Sequence, residues 1–299
     1  MPVPDFQSCM LPVLEYHGDG QEHSLRDLLD AMTRRFKLKQ AQLDEMLPSG
    51  TQSLFENRIT WARTYLRKAA LLETTRRGFA LITDRGRLIL AQGITRIDAR
   101  YLRQFPEFQD FASTKRNGRD ESDADSHRTP EELLDDACQK TRSDLVTEIL
   151  QRLRGCSPAF FERAVVDVLI KMGYGGTRPD AGRAIGRRGD EGIDGIIKED
   201  KLGLDTIYIQ AKRWENQIGR PELQKFVGAL QGQKANKGVF ITTSGFSEEA
   251  RRYAAGVEVR LILVDGKTLA ELMADHGVGV TPVRTIELKR IDSDYFVED

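Results

Sequence analysis

The chain has 299 residues, of which 30% are charged and 39% hydrophobic, and its formal net charge is −1. This length allows two domains with separate cores, and the composition is that of a globular protein. Because no apolar run approaches the roughly 20 residues that span a bilayer and no signal segment opens the chain, we expect a cytoplasmic protein without membrane contact.

The near-neutral total conceals two segments of opposite charge. Residues 54–103 contain 11 Lys and Arg against 4 Asp and Glu, a net of +7, and residues 106–150 contain 6 against 12, a net of −6. Local charge determines attraction to phosphate, so the basic segment is compatible with nucleic-acid binding. A solvated helix face beside an acidic linker has the same pattern, and charge alone does not separate the two interpretations.

Residues 1–105 are predicted to form a winged-helix DNA-binding domain. A first helix covers SLRDLLDAMTRRF with Ser24 as its N-cap, a second covers KQAQLDEML, and a third covers SLFENRITWARTYLRKAALLE. A hairpin with a basic tip follows in LETTRRGFALITDRGRLIL. Three helices and then such a hairpin is the order of a winged helix, whose third helix enters the major groove.

The predicted DNA-contacting side chains lie on the third helix and at the tip of the hairpin. In such complexes Asn and Arg reach base edges and Lys reaches phosphate. The predicted set is Asn57, Arg58, Trp61, Arg63, Arg67, Lys68, Arg76 and Arg77. The alternative is a three-helix module that binds another protein.

The rest of the chain is predicted to contain a linker, a second domain and a tail. Residues 106–130 mix Asp, Ser, Arg and Gly, which is typical of an exposed acidic and polar linker. Residues 131–280 alternate between helices and strands after an initial helix and hairpin, which predicts a mixed sheet flanked by helices. The fold class is therefore mixed α/β, and residues 281–299 form a C-terminal tail that adds an edge strand or stays loose.

Three polar residues are unusual in the predicted hairpin DGIIKEDKLGLDTIYIQAK: Asp194, Gln210 and Lys212. Side chains alternate between the two faces of a strand, so Gln210 and Lys212 share one face. If the turn centres near 202–203, Asp194 lies opposite Gln210 or Lys212, and all three groups project from the same side. An Asp–Lys bridge with a purely structural role is the alternative.

These groups suit phosphodiester hydrolysis with Mg²⁺. We expect Asp194 to hold the ion, with the Gln210 side chain and the Ala211 carbonyl nearby. The ion polarises phosphate and helps to generate hydroxide. Lys212 is predicted to orient or deprotonate the attacking water, or to stabilise charge on the phosphate.

Two further segments point to the same site. The glycine-rich loop before Asp194 carries Arg187 and Arg188 and suits the approach of phosphate. Glu162 follows two phenylalanines on the amphipathic helix SPAFFERAVVDVLIKMGY and can direct a fourth polar group toward the sheet. No nucleotide-binding phosphate loop of the form GxxxxGK[ST] is present, so we expect no nucleotide cofactor.

Residues 158–275 resemble the Mrr-type catalytic domain, a branch of the PD-(D/E)xK nuclease superfamily. The matching segments are FFERAVVDVLIKMGY, GDEGIDGII, YIQAKRW, GVFITTSGFSEEAR and LILVDGKTLAEL. Residues 9–105 resemble the N-terminal module of the same family, through ITWARTYLRKAALLE and RRGFALITDRGR. The resemblance implies a type IV restriction endonuclease that cuts foreign double-stranded DNA carrying methylated adenine or cytosine.

The resemblance also implies roles for individual residues. In this branch glutamine replaces the usual second acid, which fits Gln210. Asp194 corresponds to the metal ligand, Lys212 to the catalytic lysine and Glu162 to the helix acid. Glu191 departs from the family pattern because it stands where a small residue is expected, and it adds a charge beside Asp194.

Two other functions are compatible with the sequence. One is a DNA-binding regulator with an inactive nuclease fold, although a degenerate site tends to lose the aspartate or the lysine that this chain keeps. The other is a structure-specific repair nuclease, although a separate N-terminal reader favours modified duplex DNA. Since cutting both strands with one site per chain needs two chains, we expect a homodimer or a higher assembly.

Overall fold

The structure is a computed structural model, and it describes residues 2–113, 127–175, 192–199, 205–287 and 289. The chain divides into two compact units, unit 1 (Met1–Lys140) and unit 2 (Thr141–Leu288). Arg187, Arg188 and Glu191 lie outside the described residues, as does the turn of the predicted hairpin.

Unit 1 combines helices with one small antiparallel sheet. Its helices are α1 (Phe6–Tyr16), α2 (Leu25–Phe36), α3 (Gln40–Leu43), α4 (Leu54–Lys68), α5 (Asp84–Ala91), α6 (Ala99–Leu102), α7 (Pro106–Ser113) and the beginning of α8 (Pro130–Gly155). Its strands are β1 (His23–Ser24), β2 (Leu72–Glu73) and β3 (Phe79–Ile82). The sheet has the order β1-β3-β2, so β2 and β3 form the hairpin that follows α4, as in a winged helix.

Several elements of unit 1 differ from the sequence-based prediction. The segment predicted as a hairpin is a hairpin only as far as Ile82, and from Asp84 onward it belongs to the helix α5. The first helix of the unit is α1, which was not predicted; it contains Pro12, and an interior proline disfavours a helix. Burial of Phe6, Met10 and Leu14 stabilises it nonetheless. The predicted second helix is reduced to the single turn α3, in which no residue is buried.

The predicted linker begins with an ordered helix. Residues 106–113 form α7, whose Phe108 is 2% exposed. The rings of Phe108 and Phe111 lie 5.3 Å and 5.7 Å from the ring of Tyr65 on α4. Two aromatic side chains three positions apart share one helix face, so this acidic segment still buries apolar surface against α4.

Unit 2 is a four-stranded mixed sheet with helices on both faces. Its helices are the remainder of α8, α9 (Pro158–Lys171), α10 (Arg220–Gly232), α11 (Glu248–Gly256) and α12 (Gly266–Asp275). Its strands are β4 (Gly195–Lys198), β5 (Thr206–Lys212), β6 (Lys237–Thr242) and β7 (Arg260–Val264), in the order β4-β5-β6-β7. The β4–β5 pair is antiparallel and the other two pairs are parallel, which confirms the predicted mixed α/β class.

The alternation of side chains along β5 separates two hydrophobic cores. Ile207, Ile209 and Ala211 pack with α8, α9 and α12 on one face. Tyr208 packs with α10 and α11 on the other face. Gln210 lies on the same face as Tyr208 by strand periodicity, at the end of β5. Among the described residues, no helix is long and apolar enough to span a membrane.

Candidate active site and DNA-binding surface

The β4–β5 hairpin brings Asp194 to Gln210. The observed register pairs Gly195 with Ile209, and Asp194 N–H donates to the Ile209 carbonyl at 2.8 Å. The Asp194 side chain therefore lies opposite Gln210, one of the two arrangements that the spacing allows. Its Oδ2 accepts hydrogen bonds from Gln210 Nε2 at 3.0 Å and from the Ala211 N–H at 2.8 Å.

Gln210 is a buried polar side chain whose position requires a glycine beside it. It is 3% exposed, and its bond to Asp194 satisfies an amide that would otherwise be costly to bury. Gly192 has φ +103°, and a Cβ there would lie 3.2 Å from Gln210 Oε1. Because glycine has no Cβ and tolerates a positive φ, the backbone at position 192 can lie close to the Gln210 amide just before Asp194.

The oxygen atoms at this hairpin suit a hard divalent cation. Among the described residues, Asp194 Oδ1 accepts no hydrogen bond, whereas Oδ2 accepts two. The N–H and C=O of one strand residue point to the same side, so the Ala211 carbonyl faces the edge where Asp194 lies. Within the described part of the chain, no three His, Cys, Asp or Glu side chains gather into a metal site.

The end of β6 fixes the backbone of Lys212. The Lys212 carbonyl accepts hydrogen bonds from Thr242 Oγ1 at 2.9 Å and from the Thr243 N–H at 3.2 Å. Thr243 Oγ1 donates to the Trp214 carbonyl at 2.8 Å, and Lys212 Nζ lies 5.9 Å from the centre of a Trp214 ring. Both threonines are buried, so these bonds are shielded from water and define the direction in which the lysine leaves the sheet.

Thr242 and Thr243 were not among the functional residues predicted from the sequence. Their signal is the pair of hydroxyl residues in FITTSG, at the end of a strand that is otherwise apolar. Buried hydroxyls need partners, and the neighbouring strand that ends at Lys212 supplies them.

Glu162 lies near the start of α9 and is half-buried. It follows Phe161, which is fully buried in the core, and Phe160, which is 48% exposed. Its participation in the site with Asp194 stays a prediction. The same holds for Arg187 and Arg188, which lie outside the described residues.

The outward face of α4 carries several of the predicted DNA contacts. The apolar stripe of α4 packs into unit 1 through Phe55, Ile59, Ala62 and Leu66. Helical spacing places a second stripe, formed by Asn57, Trp61, Thr64 and Lys68, on the opposite side. We call this second stripe the outward stripe. Its C-terminal end and the hairpin tip expose cations: Arg67, Lys68, Arg76 and Arg77 are all exposed.

The beginning of α8 covers the N-terminal part of the outward stripe. Asn57 Oδ1 accepts a hydrogen bond from Thr129 Oγ1 at 2.7 Å, and Trp61 Nε1 donates to Glu131 Oε2. Arg58, beside the stripe, donates to Glu132 from Nη2 at 2.6 Å and from Nε at 3.3 Å. Asn57 is only 2% exposed as a result, in contrast to the prediction that it is available to DNA.

Arg63 is not a surface side chain, in contrast to its predicted position. It is 7% exposed, and its Nε is buried with no hydrogen-bond partner among the described residues. Burial, with a smaller contribution from Arg67, lowers the pKa of the Arg63 guanidinium. Periodicity placed Arg63 off the apolar stripe of α4, but the surrounding helices cover a wider part of the helix than that stripe.

Comparison with known proteins matches both halves of the chain. The family described as "Restriction endonuclease" matches residues 153–273. The family described as "Mrr N-terminal domain" matches residues 6–92. The first range contains Asp194, Gln210 and Lys212, and the second contains α4 and the hairpin β2–β3.

One curated relative is similar over nearly the whole chain. It is the type IV methyl-directed restriction enzyme EcoKMrr of Escherichia coli (strain K12), 39% identical over 312 residues that cover 99% of this chain and 100% of the relative. Two solved structures are more distant. The MspJI restriction endonuclease in complex with a 27-mer oligonucleotide has a TM-score of 0.29 at 17% identity, over 75% of this chain and 41% of that one. The DNA modification-dependent restriction endonuclease AspBHI has a TM-score of 0.34 at 19% identity, over 70% and 56%.

The two family matches occur in one chain, in the order in which unit 1 and the mixed sheet of unit 2 occur. The 39% identity to the relative extends over its full length and therefore includes both regions. The chain belongs to the Mrr family of restriction endonucleases.

Proposed function

We propose that this restriction endonuclease cuts double-stranded DNA that carries methylated bases, with Mg²⁺ as its cofactor. The observation that supports the nuclease chemistry most directly is that the Asp194 carboxylate accepts hydrogen bonds from Gln210 and Ala211. Lys212 directly follows Ala211 on the same strand. The preference for methylated DNA is supported by the relative that is described as methyl-directed.

Restriction endonuclease domains depend in general on a divalent metal, and the oxygen atoms of this hairpin suit Mg²⁺. The Asp194 carboxylate, the Gln210 amide oxygen and the Ala211 carbonyl would hold the ion. When bound, it polarises the scissile phosphate and lowers the pKa of a coordinated water. For Gln210 Oε1 to take part, its amide must rotate, because Nε2 is the atom that faces Asp194 in this structure.

Lys212 acts on the same phosphate from the neighbouring position. Its ammonium either orients the attacking water or stabilises the negative charge that develops on phosphate oxygens. The bonds from Thr242 and Thr243 to its carbonyl hold the backbone from which the side chain extends. Glu162 is proposed as the acid that a neighbouring helix adds to this constellation.

DNA binding by unit 1 would use its exposed cations. Arg67 and Lys68 end α4, and Arg76 and Arg77 lie at the tip of the β2–β3 hairpin. The guanidinium of Arg76 stacks on the Phe79 ring at 3.8 Å, which orients it without removing its charge. Contacts of this type to phosphate position a protein on a duplex, while Asn57, Arg58 and Trp61 would supply contacts closer to the bases.

We also propose that the active form is a homodimer or a higher assembly. One Asp194–Lys212 site per chain hydrolyses one phosphodiester bond at a time, so a double-strand break needs a second site on the other strand. The linker 106–130, the catalytic domain 131–280 and the tail 281–299 remain the proposed division of the chain after the DNA-binding domain 1–105.

The test compares cutting of methylated and unmethylated plasmid by wild type and by Asp194→Ala, each with Mg²⁺ or EDTA. The matched control is Asp205→Ala, which removes an exposed aspartate from the same hairpin, where it pairs with Lys237. We expect wild type and the control to cut methylated plasmid with Mg²⁺, and Asp194→Ala not to cut.

Other outcomes favour the alternative functions. Equal cutting of both plasmids would contradict the preference for methylation and favour a repair or general nuclease. Binding of DNA without cutting under any metal condition would contradict the nuclease proposal and favour a DNA-binding regulator.

A further inference from the structure

The outward stripe of α4 is already occupied by the chain's own residues. Its N-terminal part is contacted by Thr129 through Asn57 and by Glu131 through Trp61, and Glu132 pairs with Arg58 beside it. We call Thr129, Glu131 and Glu132 together the acidic start of α8. Thr129 is fully buried and Glu132 is 8% exposed. This is therefore a closed polar contact, and both partners belong to unit 1.

The contact satisfies part of the hydrogen-bonding capacity of the α4 groups that are proposed to meet DNA, and Arg58 Nη1 also donates to the Val3 carbonyl at 2.7 Å. Arg58 makes a forked pair with the two oxygens of Glu132, which is also the geometry of an arginine–phosphate pair. Trp61 Nε1, which can donate but not accept a hydrogen bond, donates to Glu131. Asn57 Nδ2 lies 3.5 Å from Glu131 Oε2. Two carboxylates thus occupy the positions where phosphate or base acceptors would lie.

We propose that the outward stripe of α4 is an interaction surface with two mutually exclusive occupants: the acidic start of α8 in the free protein, and duplex DNA in the complex. The inference rests on the proposed DNA binding by unit 1 and adds a competitor for it. DNA reaches the stripe only in molecules whose α8 contact is open. The apparent Kd is therefore the intrinsic Kd divided by the fraction of molecules in the open state.

Glutamine substitutions remove the competing charges and preserve the helix start. Thr129 N–H donates to Glu132 Oε2 at 2.9 Å and Glu132 N–H donates to Thr129 Oγ1 at 3.2 Å. This is a capping box, in which glutamine serves as well as glutamate. The Glu131→Gln and Glu132→Gln changes therefore weaken the contacts to Arg58 and Trp61 while the cap of α8 is kept.

The experiment measures the Kd of the full-length protein for a fluorescein-labelled methylated duplex by fluorescence anisotropy, in EDTA to prevent cutting. It compares wild type, the double variant E131Q/E132Q and the matched double variant D144N/E148Q. The control removes two carboxylates from the same helix at exposed positions. We expect E131Q/E132Q to lower Kd about tenfold, because charge-assisted hydrogen bonds that compete with DNA are lost, and D144N/E148Q to change it far less.

Equal changes in the two double variants, or no change in E131Q/E132Q, would overturn the proposal, because the acidic start of α8 would then not compete with DNA. Trp61→Ala in the E131Q/E132Q background adds a second test. It should cancel the gained affinity if DNA uses the outward stripe, and retention of the gain would contradict that. The single variant E131Q leaves the capping box untouched, and a smaller gain is expected from it even if the double variant folds poorly.

Failure of this inference can be told apart from failure of the proposed function. If wild type cuts methylated plasmid with Mg²⁺ and E131Q/E132Q binds DNA no better, the nuclease stands and only the competition is wrong. If wild type neither cuts nor binds the duplex, the proposed function itself is wrong.

Discussion

Replacement of Gln210 by glutamate should make the stability of unit 2 depend on a divalent metal. In the wild type, the Gln210 amide donates a hydrogen bond to Asp194. In Gln210→Glu this donor becomes a second carboxylate, and the two acids face each other across the hairpin. If the site holds a cation, Gln210→Glu lowers the stability of unit 2 in the absence of metal, and added metal restores that stability. The neutral control Gln210→Met loses the same bond but adds no charge.

The magnitude follows from the distance and the burial. Gln210 is 3% exposed and its Nε2 lies 3.0 Å from Asp194 Oδ2. Two carboxylates at this separation repel by about 5 kcal/mol at an effective dielectric constant of about 20, but proton uptake by one of them limits the cost. With the lost hydrogen bond to a charged group, the expected destabilisation is about 3–4 kcal/mol for Gln210→Glu and about 2 kcal/mol for Gln210→Met.

The assay is urea unfolding followed by tryptophan fluorescence in a Trp61→Phe background, so that only Trp214 of unit 2 emits. Each variant is measured with EDTA and with Mg²⁺. At a metal concentration of 100 times its Kd, we expect binding to stabilise the folded state by about 2.7 kcal/mol, with the larger gain in Gln210→Glu. An equal effect of Mg²⁺ on Gln210→Glu and Gln210→Met would refute the placement of the ion between residues 194 and 210.

Three further outcomes are expected. Thr242→Val removes the buried hydrogen bond to the Lys212 carbonyl and should lower kcat for plasmid cleavage about tenfold with little change in KM; an unchanged kcat, or no recovery in Thr242→Ser, would contradict a positioning role. Gly192→Ala, at φ +103° and 3.2 Å from Gln210 Oε1, should cost about 1–2 kcal/mol in unfolding free energy, whereas Gly228→Ala, in open space on α10, should not destabilise. Burial lowers the pKa of His17, so the unfolded state takes up the proton first and the unfolding free energy should fall as pH drops below about 6.5. The unfolding free energy should depend less steeply on pH in His17→Gln, and an identical slope would exclude His17 as the source.

The sequence was sufficient to predict that Asp194 lies opposite a polar residue of β5. Strand alternation put Gln210 and Lys212 on one face, and the estimated turn position brought Asp194 opposite one of them. The observed register places Asp194 opposite Gln210. Thr242 and Thr243 were missed because a hydroxyl at a strand end shows its role only when the neighbouring strand is in place.

For unit 1, the sequence predicted α2, α4 and the hairpin after α4, but not which of their surfaces are free. Periodicity correctly separated the apolar stripe of α4 from the residues opposite it, because the 3.6-residue repeat is a local property of the backbone. It could not show that Thr129, Glu131 and Glu132 contact Asn57, Trp61 and Arg58, which lie 70 to 74 positions earlier in the chain. It also could not show that Arg63 is buried. Contacts between distant segments depend on how the whole unit packs, and so the availability of the α4 surface to DNA was decided only by the tertiary structure.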